Sequence, residues 1–162
     1  MFDDPEALAH TAASIVQQAA QRSGPDRFRL ALSGGSTPRR LLEVLADQIE
    51  DWSRIDIFQV DERIAPAGSP DRNLTMFEQT LPAEARARIH AMPVDDADLD
   101  AAATTYAARL PDRFNLVVLG IGDDGHTASL FGGDPALAID DRDVVVTHRH
   151  REWRRMTLTY PV

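Results

Sequence analysis

Apolar residues recur at helical spacing from Pro5 to Gln21, where Leu8, Ala12, Ile15, Val16 and Ala19 share one face. Ser23-Gly24-Pro25 ends that helix. Between Phe28 and Ser33 the period shortens to two, with Phe28, Leu30 and Leu32 alternating, and a strand is predicted. Gly34-Gly35-Ser36-Thr37-Pro38 follows and opens a second helix with Leu41, Leu42, Leu45 and Ile49 on one side. Ser36 or Thr37 can cap it, and Pro38 suits its first turn. A second strand, Ile55 to Val60, runs straight into Asp61-Glu62-Arg63. After a loop rich in Pro, Gly, Ser and Asp, helices are expected near 72–80 and 98–110. Asn115 to Leu119 is continuously apolar, the pattern of a strand buried on both faces, and empties into Gly120-Ile121-Gly122-Asp123-Asp124-Gly125-His126. Two further strands are expected at Val144–Thr147 and Met156–Tyr160. The link between them, residues 148–155, is too short for a parallel crossover, so they pair antiparallel.

This alternation predicts an α/β fold: a mainly parallel, Rossmann-like open sheet flanked by helices, with an antiparallel addition near the C-terminus. The segments 33–37, 61–63 and 120–126 each follow a strand. In a parallel sheet all three emerge at the carboxyl edge, where open α/β sheets bind their ligands.

Composition narrows the chemistry. A chain of 162 residues fits one domain, 1–162, with a core that needs no staple. There are no cysteines, which excludes disulfides, thiolate metal sites and a cysteine nucleophile. The net charge of −9 opposes general binding to nucleic acid or anionic membranes. All 17 basic residues are arginine, so an anion site must use guanidiniums, helix N-termini and backbone amides, and a Schiff-base lysine is excluded. No apolar run spans a bilayer. The acidic start, MFDDPEALAH, is unlike a signal peptide, and a cytoplasmic protein is expected.

Three loops carry candidate chemistry. Gly34, Gly35, Ser36 and Thr37 let amides and hydroxyls approach an anion at a helix N-terminus; the plain alternative is a tight turn. Arg63 can grip a phosphate and Asp61 can orient a base or a hydroxyl; the alternative is a solvated charged turn, and Asn73 likewise suits a turn or cap. Gly120, Gly122 and Gly125 satisfy G-x-G-x-x-G, but Asp123 and Asp124 stand where a pyrophosphate would approach. Gly132-Gly133-Asp134-Pro135 also cuts the following helix short, which rejects a dinucleotide site. The loop instead presents His126 at the crevice as a general base. If the Val144–Thr147 strand runs parallel to the core strands, the basic stretch His148–Arg155 projects toward the same edge, where Arg154 or Arg155 can reach a phosphate; the plain alternative is a solvated hairpin loop. His148 and His150 can share a strand face, but two ligands do not make a metal site.

Taken together, LALSGGSTP, FQVDER, Asn73 and VVLGIGDDGHTASLFGGDPAL resemble the lactonase branch of the glucosamine-6-phosphate isomerase/6-phosphogluconolactonase superfamily, over nearly the whole chain. The related deaminases usually continue from the histidine toward an asparagine–glutamate pair and carry a tyrosine where Arg63 stands. The resemblance implies an esterase of the pentose phosphate pathway, independent of metal and cofactor, that hydrolyses 6-phospho-D-glucono-1,5-lactone to 6-phosphogluconate. It implies His126 and Asp61 as catalytic residues, with His126 deprotonating water. Gly34, Gly35, Ser36 and Thr37 become the phosphate loop, Arg63 and Arg155 its cations, and Asn73, Gly122 and Asp124 further substrate contacts. Amides near Gly122–Gly125 are candidates for the oxyanion, and Asp61, Asp123 and Asp124 for orienting His126. Arg72 adds a cation where serine is common in the family. The expected partner is a sugar-phosphate lactone, with no nucleic acid or membrane, and the expected state is a monomer or weak homo-oligomer. Family members continue beyond the Met156–Tyr160 strand, so the domain is expected to lack its C-terminal part. The alternatives are an amino-sugar isomerase/deaminase, a non-catalytic sugar-phosphate-binding domain and an inactive fragment.

Overall fold

The structure, a computed structural model, describes residues 4–148 and 150–162; Arg149 of the basic stretch lies outside them. Helix α1 (Pro5–Arg22) starts where the Asp4 carboxylate accepts the Glu6 N–H at 3.0 Å, a cap that the acidic N-terminus supplies. Strand β1 (Phe28–Leu32), helix α2 (Ser36–Gln48) and strands β2 (Ile55–Gln59) and β3 (Asp61–Arg63) follow. Helices α3 (Asn73–Thr80) and α4 (Ala83–Arg86), strand β4 (Ile89–His90), helix α5 (Leu99–Ala107) and strand β5 (Leu116–Val118) come next. A short 3-10 turn, Pro135–Ala138, precedes strands β6 (Val144–Val146) and β7 (Arg155–Leu158).

Four strands form a parallel sheet in the order β4-β2-β1-β5. Their period-two alternation sorts side chains onto two cores. Leu30, Leu32 and Ile57 point to one face and pack with Ala9, Ala13 and Val16 of α1 and Leu41, Leu42 and Leu45 of α2. Ala31 and Phe58 point to the other, where they meet Ala102, Ala103 and Tyr106 of α5 together with Met156 and Leu158. Burying each of the larger aliphatic side chains, the leucines, Ile57 and Val16, contributes about 1.5–3 kcal/mol. Among the described residues, no helix is long and apolar enough to cross a membrane.

The antiparallel addition is a second sheet of order β3-β7-β6. The expected pair of C-terminal strands is there, but its third member is Asp61-Glu62-Arg63, read from sequence as a charged loop. Val60 joins the two sheets: its N–H donates to Leu32 O at 3.1 Å, and its carbonyl accepts from Leu158 N at 2.9 Å.

Two expectations are corrected. The apolar strand β5 is not buried on both faces: it is the edge of the parallel sheet, and Val117 and Leu119 remain 43% and 49% exposed. Helix α2 takes no side-chain cap from Ser36 or Thr37; these are its first two residues, and Gly35 occupies the cap position.

Candidate active site

The three predicted loops do meet at the carboxyl edge of the parallel sheet. They line a cavity of about 530 Å³ that contains Ser33, Gly34, Gly35, Ser36, Thr37, Asp61, Arg63, Gly120, Gly122, His126 and Arg155. Asn73 and Asp124 lie just behind this lining, each bonded to a residue that faces the cavity.

The glycine loop after β5 is held by bonds within itself and by one to Ser33. Gly120 N donates to Ser33 Oγ at 3.1 Å, Thr127 Oγ1 to Gly120 O at 3.0 Å, and Gly122 N to His126 O at 2.8 Å. Gly125 N is likewise taken by Gly122 O at 2.9 Å. The amides of Gly122 and Gly125 are therefore spent within the loop and do not form the expected oxyanion donors. Gly122 instead provides room: a Cβ there would stand 2.2 Å from His126 Cε1 and 2.8 Å from Asp124 Oδ1.

That room is filled by a histidine–carboxylate pair. His126 Nδ1 contacts Asp124 Oδ1, and the His126 N–H donates to the same oxygen at 3.3 Å. The bond to His126 holds the Asp124 carboxyl below its usual range. With its proton on Nδ1 facing Asp124, the imidazole leaves the Nε2 lone pair free to accept a proton. Of the three acidic candidates, Asp124 is the one bonded to His126. It is half exposed, so water screens the pair and its contribution is small. Asp124→Asn is therefore expected to lower turnover about fivefold, with KM unchanged, in a steady-state assay.

Asp61 lines the cavity but bonds to other groups. Its carboxylate accepts from Ser129 Oγ at 2.6 Å and Asn73 Nδ2 at 3.0 Å, and Arg155 lies 3.9 Å away. Asn73 Nδ2 also donates to Asp61 O at 2.8 Å. Asp61 thus anchors the wall that carries the cations and makes no contact with His126. Ser129, fully buried, was missed because a hydroxyl inside an apolar turn leaves no periodic signal.

Arg63 and Arg155 are register partners on β3 and β7 and both face the cavity. Their Nε atoms are buried without a hydrogen-bond partner among the described residues. Burial, then the proximity of Arg63, lowers the Arg155 guanidinium from its ordinary value, although it stays charged. Asp61 and the buried Glu62 lie near these two adjacent cations, whose open side favours an anionic ligand. Arg154 is exposed and directs its Nε to Thr147 O at 3.5 Å. Arg72 is buried and turned away: its Nε donates to Ala65 O at 2.6 Å, and its guanidinium clasps Asp95. It ties the 64–72 loop down and takes no place in the cavity.

Glu62 is the other residue that sequence reasoning passed over. It is fully buried and accepts from Arg63 N, Leu74 N and Gln59 Nε2 at 2.7 Å each, and from Asn73 N at 2.8 Å. Burial pushes its carboxyl up, against four donors that favour the charged form. It caps α3 from outside and so sets Asn73 against Asp61. Strand alternation was the available signal: between two residues that face the cavity, the middle one must face inward. Among the described residues, no three His, Asp or Glu side chains converge as a metal site requires.

Comparison with known proteins gives the family. Residues 3–162 match the family described as glucosamine-6-phosphate isomerases/6-phosphogluconolactonase. The chain is 37% identical over 171 residues to a 6-phosphogluconolactonase of Synechocystis sp., covering 96% of this chain and 69% of that protein. It is 39% identical over 151 residues to one of Nostoc sp., covering 83% and 61%. Among solved structures, the 6-phosphogluconolactonase of Thermotoga maritima superposes with a TM-score of 0.82 at 28% identity, over 93% of this chain and 72% of that one. That of Shewanella baltica gives 0.80 at 31% identity, over 98% and 72%. The chain thus spans roughly two-thirds of the length of these relatives, and it belongs to the glucosamine-6-phosphate isomerase/6-phosphogluconolactonase family.

Proposed function

We propose that this site hydrolyses 6-phospho-D-glucono-1,5-lactone to 6-phosphogluconate, the pentose-phosphate step for which these relatives are named. One observation carries the reading: His126, paired with the Asp124 carboxylate behind it, shares a cavity with two guanidiniums whose buried Nε atoms have no hydrogen-bond partner among the described residues.

In this reading the phosphate sits against Arg63 and Arg155, with the unbonded amides of the first turn of α2 beside Gly34, Gly35, Ser36 and Thr37. Each charge-assisted bond contributes about 1.5–3 kcal/mol. His126 Nε2 accepts a proton as water attacks the lactone carbonyl, and the oxygen–carbon bond from water forms. The tetrahedral oxyanion then collapses, the ring carbon–oxygen bond breaks, and the proton on His126 passes to the leaving ring oxygen. Asp124 supports the transient imidazolium. The cytoplasmic setting and the monomeric or weakly associating state expected from the sequence belong to the same proposal.

The test is lactone hydrolysis followed directly against the spontaneous rate, with and without the 6-phosphate. The phosphorylated lactone is expected to be hydrolysed about 10²-fold faster than glucono-1,5-lactone at equal low concentration, the worth of about two charge-assisted contacts. Saturable binding of 6-phosphogluconate with no acceleration of either lactone would select a binding domain instead.

A further inference from the structure

Beside the histidine–carboxylate pair lies a group that the reaction as described does not use. His150, in the turn between β6 and β7, lays its imidazole flat on Phe131, with ring centroids 3.7 Å apart and planes within 9°. Phe131 in turn meets the His126 ring at 4.3 Å, and the two histidine rings are 6.3 Å apart. Phe131 is 5% exposed, and the Arg155 guanidinium lies 5.1 Å from its centroid, so its ring has little freedom to shift. The turn is tied down as well. The His150 N–H donates to Trp153 O at 3.1 Å, and Trp153 Nε1 donates to Asp71 Oδ2 at 3.1 Å.

A base must aim one nitrogen, and a single side-chain hydrogen bond does not aim a ring. The Asp124 contact fixes Nδ1 but leaves the imidazole free to tilt about that point. Phe131 meets the His126 ring at an interplanar angle of 41°, and a ring in contact at that angle limits the tilt, provided it is itself clamped. We propose, building on the lactone-hydrolysis reading, that His150 is a positioning residue for the His126 base, clamping Phe131 so that Phe131 limits the tilt of His126. Its part is that of a flat aromatic face, not of a proton carrier. The charged and titratable groups facing His150 are Arg155, Arg151, Asp124 and His126. Burial, followed by the two guanidiniums, lowers its pKa and so favours the neutral ring over the charged one.

His150→Ala and His150→Phe separate a face from a proton. By NMR, the His126 imidazole resonances are expected to move in His150→Ala, as the Phe131 ring current over them changes, and to stay near the parent positions in His150→Phe. In the lactone assay, kcat is expected to fall about tenfold in His150→Ala with KM unchanged, and to return within about twofold of the parent in His150→Phe; misplacement of a reacting group by a fraction of an ångström accounts for such a loss. Unmoved His126 resonances in His150→Ala overturn the proposal. Equal loss of kcat in both variants does so too, since it marks a proton or charge role. A parent chain without turnover counts against the lactonase reading alone, because the resonances still report whether His150 holds His126.

Discussion

Replacing His126 by alanine is expected to lower kcat for lactone hydrolysis by about 10²–10⁴-fold while binding of 6-phosphogluconate persists. The split follows from the geometry. His126 lines the cavity through a ring whose Nδ1 is committed to Asp124, so its free contribution is the proton accepted at Nε2. The anion-holding groups sit on other elements: Arg63 on β3, Arg155 on β7 and the glycine turn at the start of α2. Deleting the imidazole leaves them in place. Kinetics corrected for spontaneous hydrolysis, paired with calorimetric titration of the product, check both halves. An unchanged kcat in the folded variant refutes the base assignment, whereas a lost product titration would show that the cavity does not survive without the ring.

The second large effect is expected at Gly34→Ala. A Cβ on Gly34 would stand 1.8 Å from Asn73 Oδ1 and 2.2 Å from its Cγ, closer than non-bonded atoms can approach. Asn73 cannot swing aside without cost, because it is buried and its Nδ2 donates twice to Asp61. Relieving the overlap moves the phosphate turn or breaks those bonds. Overpacking and the lost hydrogen bonds together amount to about 3 kcal/mol. For a chain of this size that is roughly 6–12 °C in Tm, alongside severe loss of lactone turnover. Asn73→Ala removes the atoms that collide, so the double variant is expected to lose less stability than the two single changes summed. Strict additivity by thermal melting would show that Gly34 and Asn73 are not in steric conflict.

Legibility from sequence followed the physics of each segment. The strands Phe28–Leu32 and Ile55–Gln59 and the helices that pack on them announced themselves because one-sided burial imprints a period of two or 3.6. The convergence of three loops at one edge followed from parallel pairing alone. Asp61-Glu62-Arg63 did not read as a strand: its three charged residues have no apolar alternation, and its partner, Arg155–Thr157, lies more than ninety residues away in sequence. For the same reason Glu62 stayed hidden until its inward direction was known. The placement of β5 failed differently. An unbroken apolar run fits burial on both faces, and nothing within the run itself says that its outer side is a sheet edge. Asp61, Asp123 and Asp124 could not be ranked as partners of His126 because the choice depends on how the glycine loop folds back, which the Gly122–His126 bond decides.

The cations of the cavity have one more consequence. A lactone is an acylating agent, and a neutral amine held against its carbonyl would be converted to an amide. Arg63 and Arg155 are guanidiniums, protonated throughout the physiological range and without a free lone pair, and the chain contains no lysine at all. Such cations can grip an electrophile by their charge without themselves offering a nitrogen that the electrophile could permanently modify.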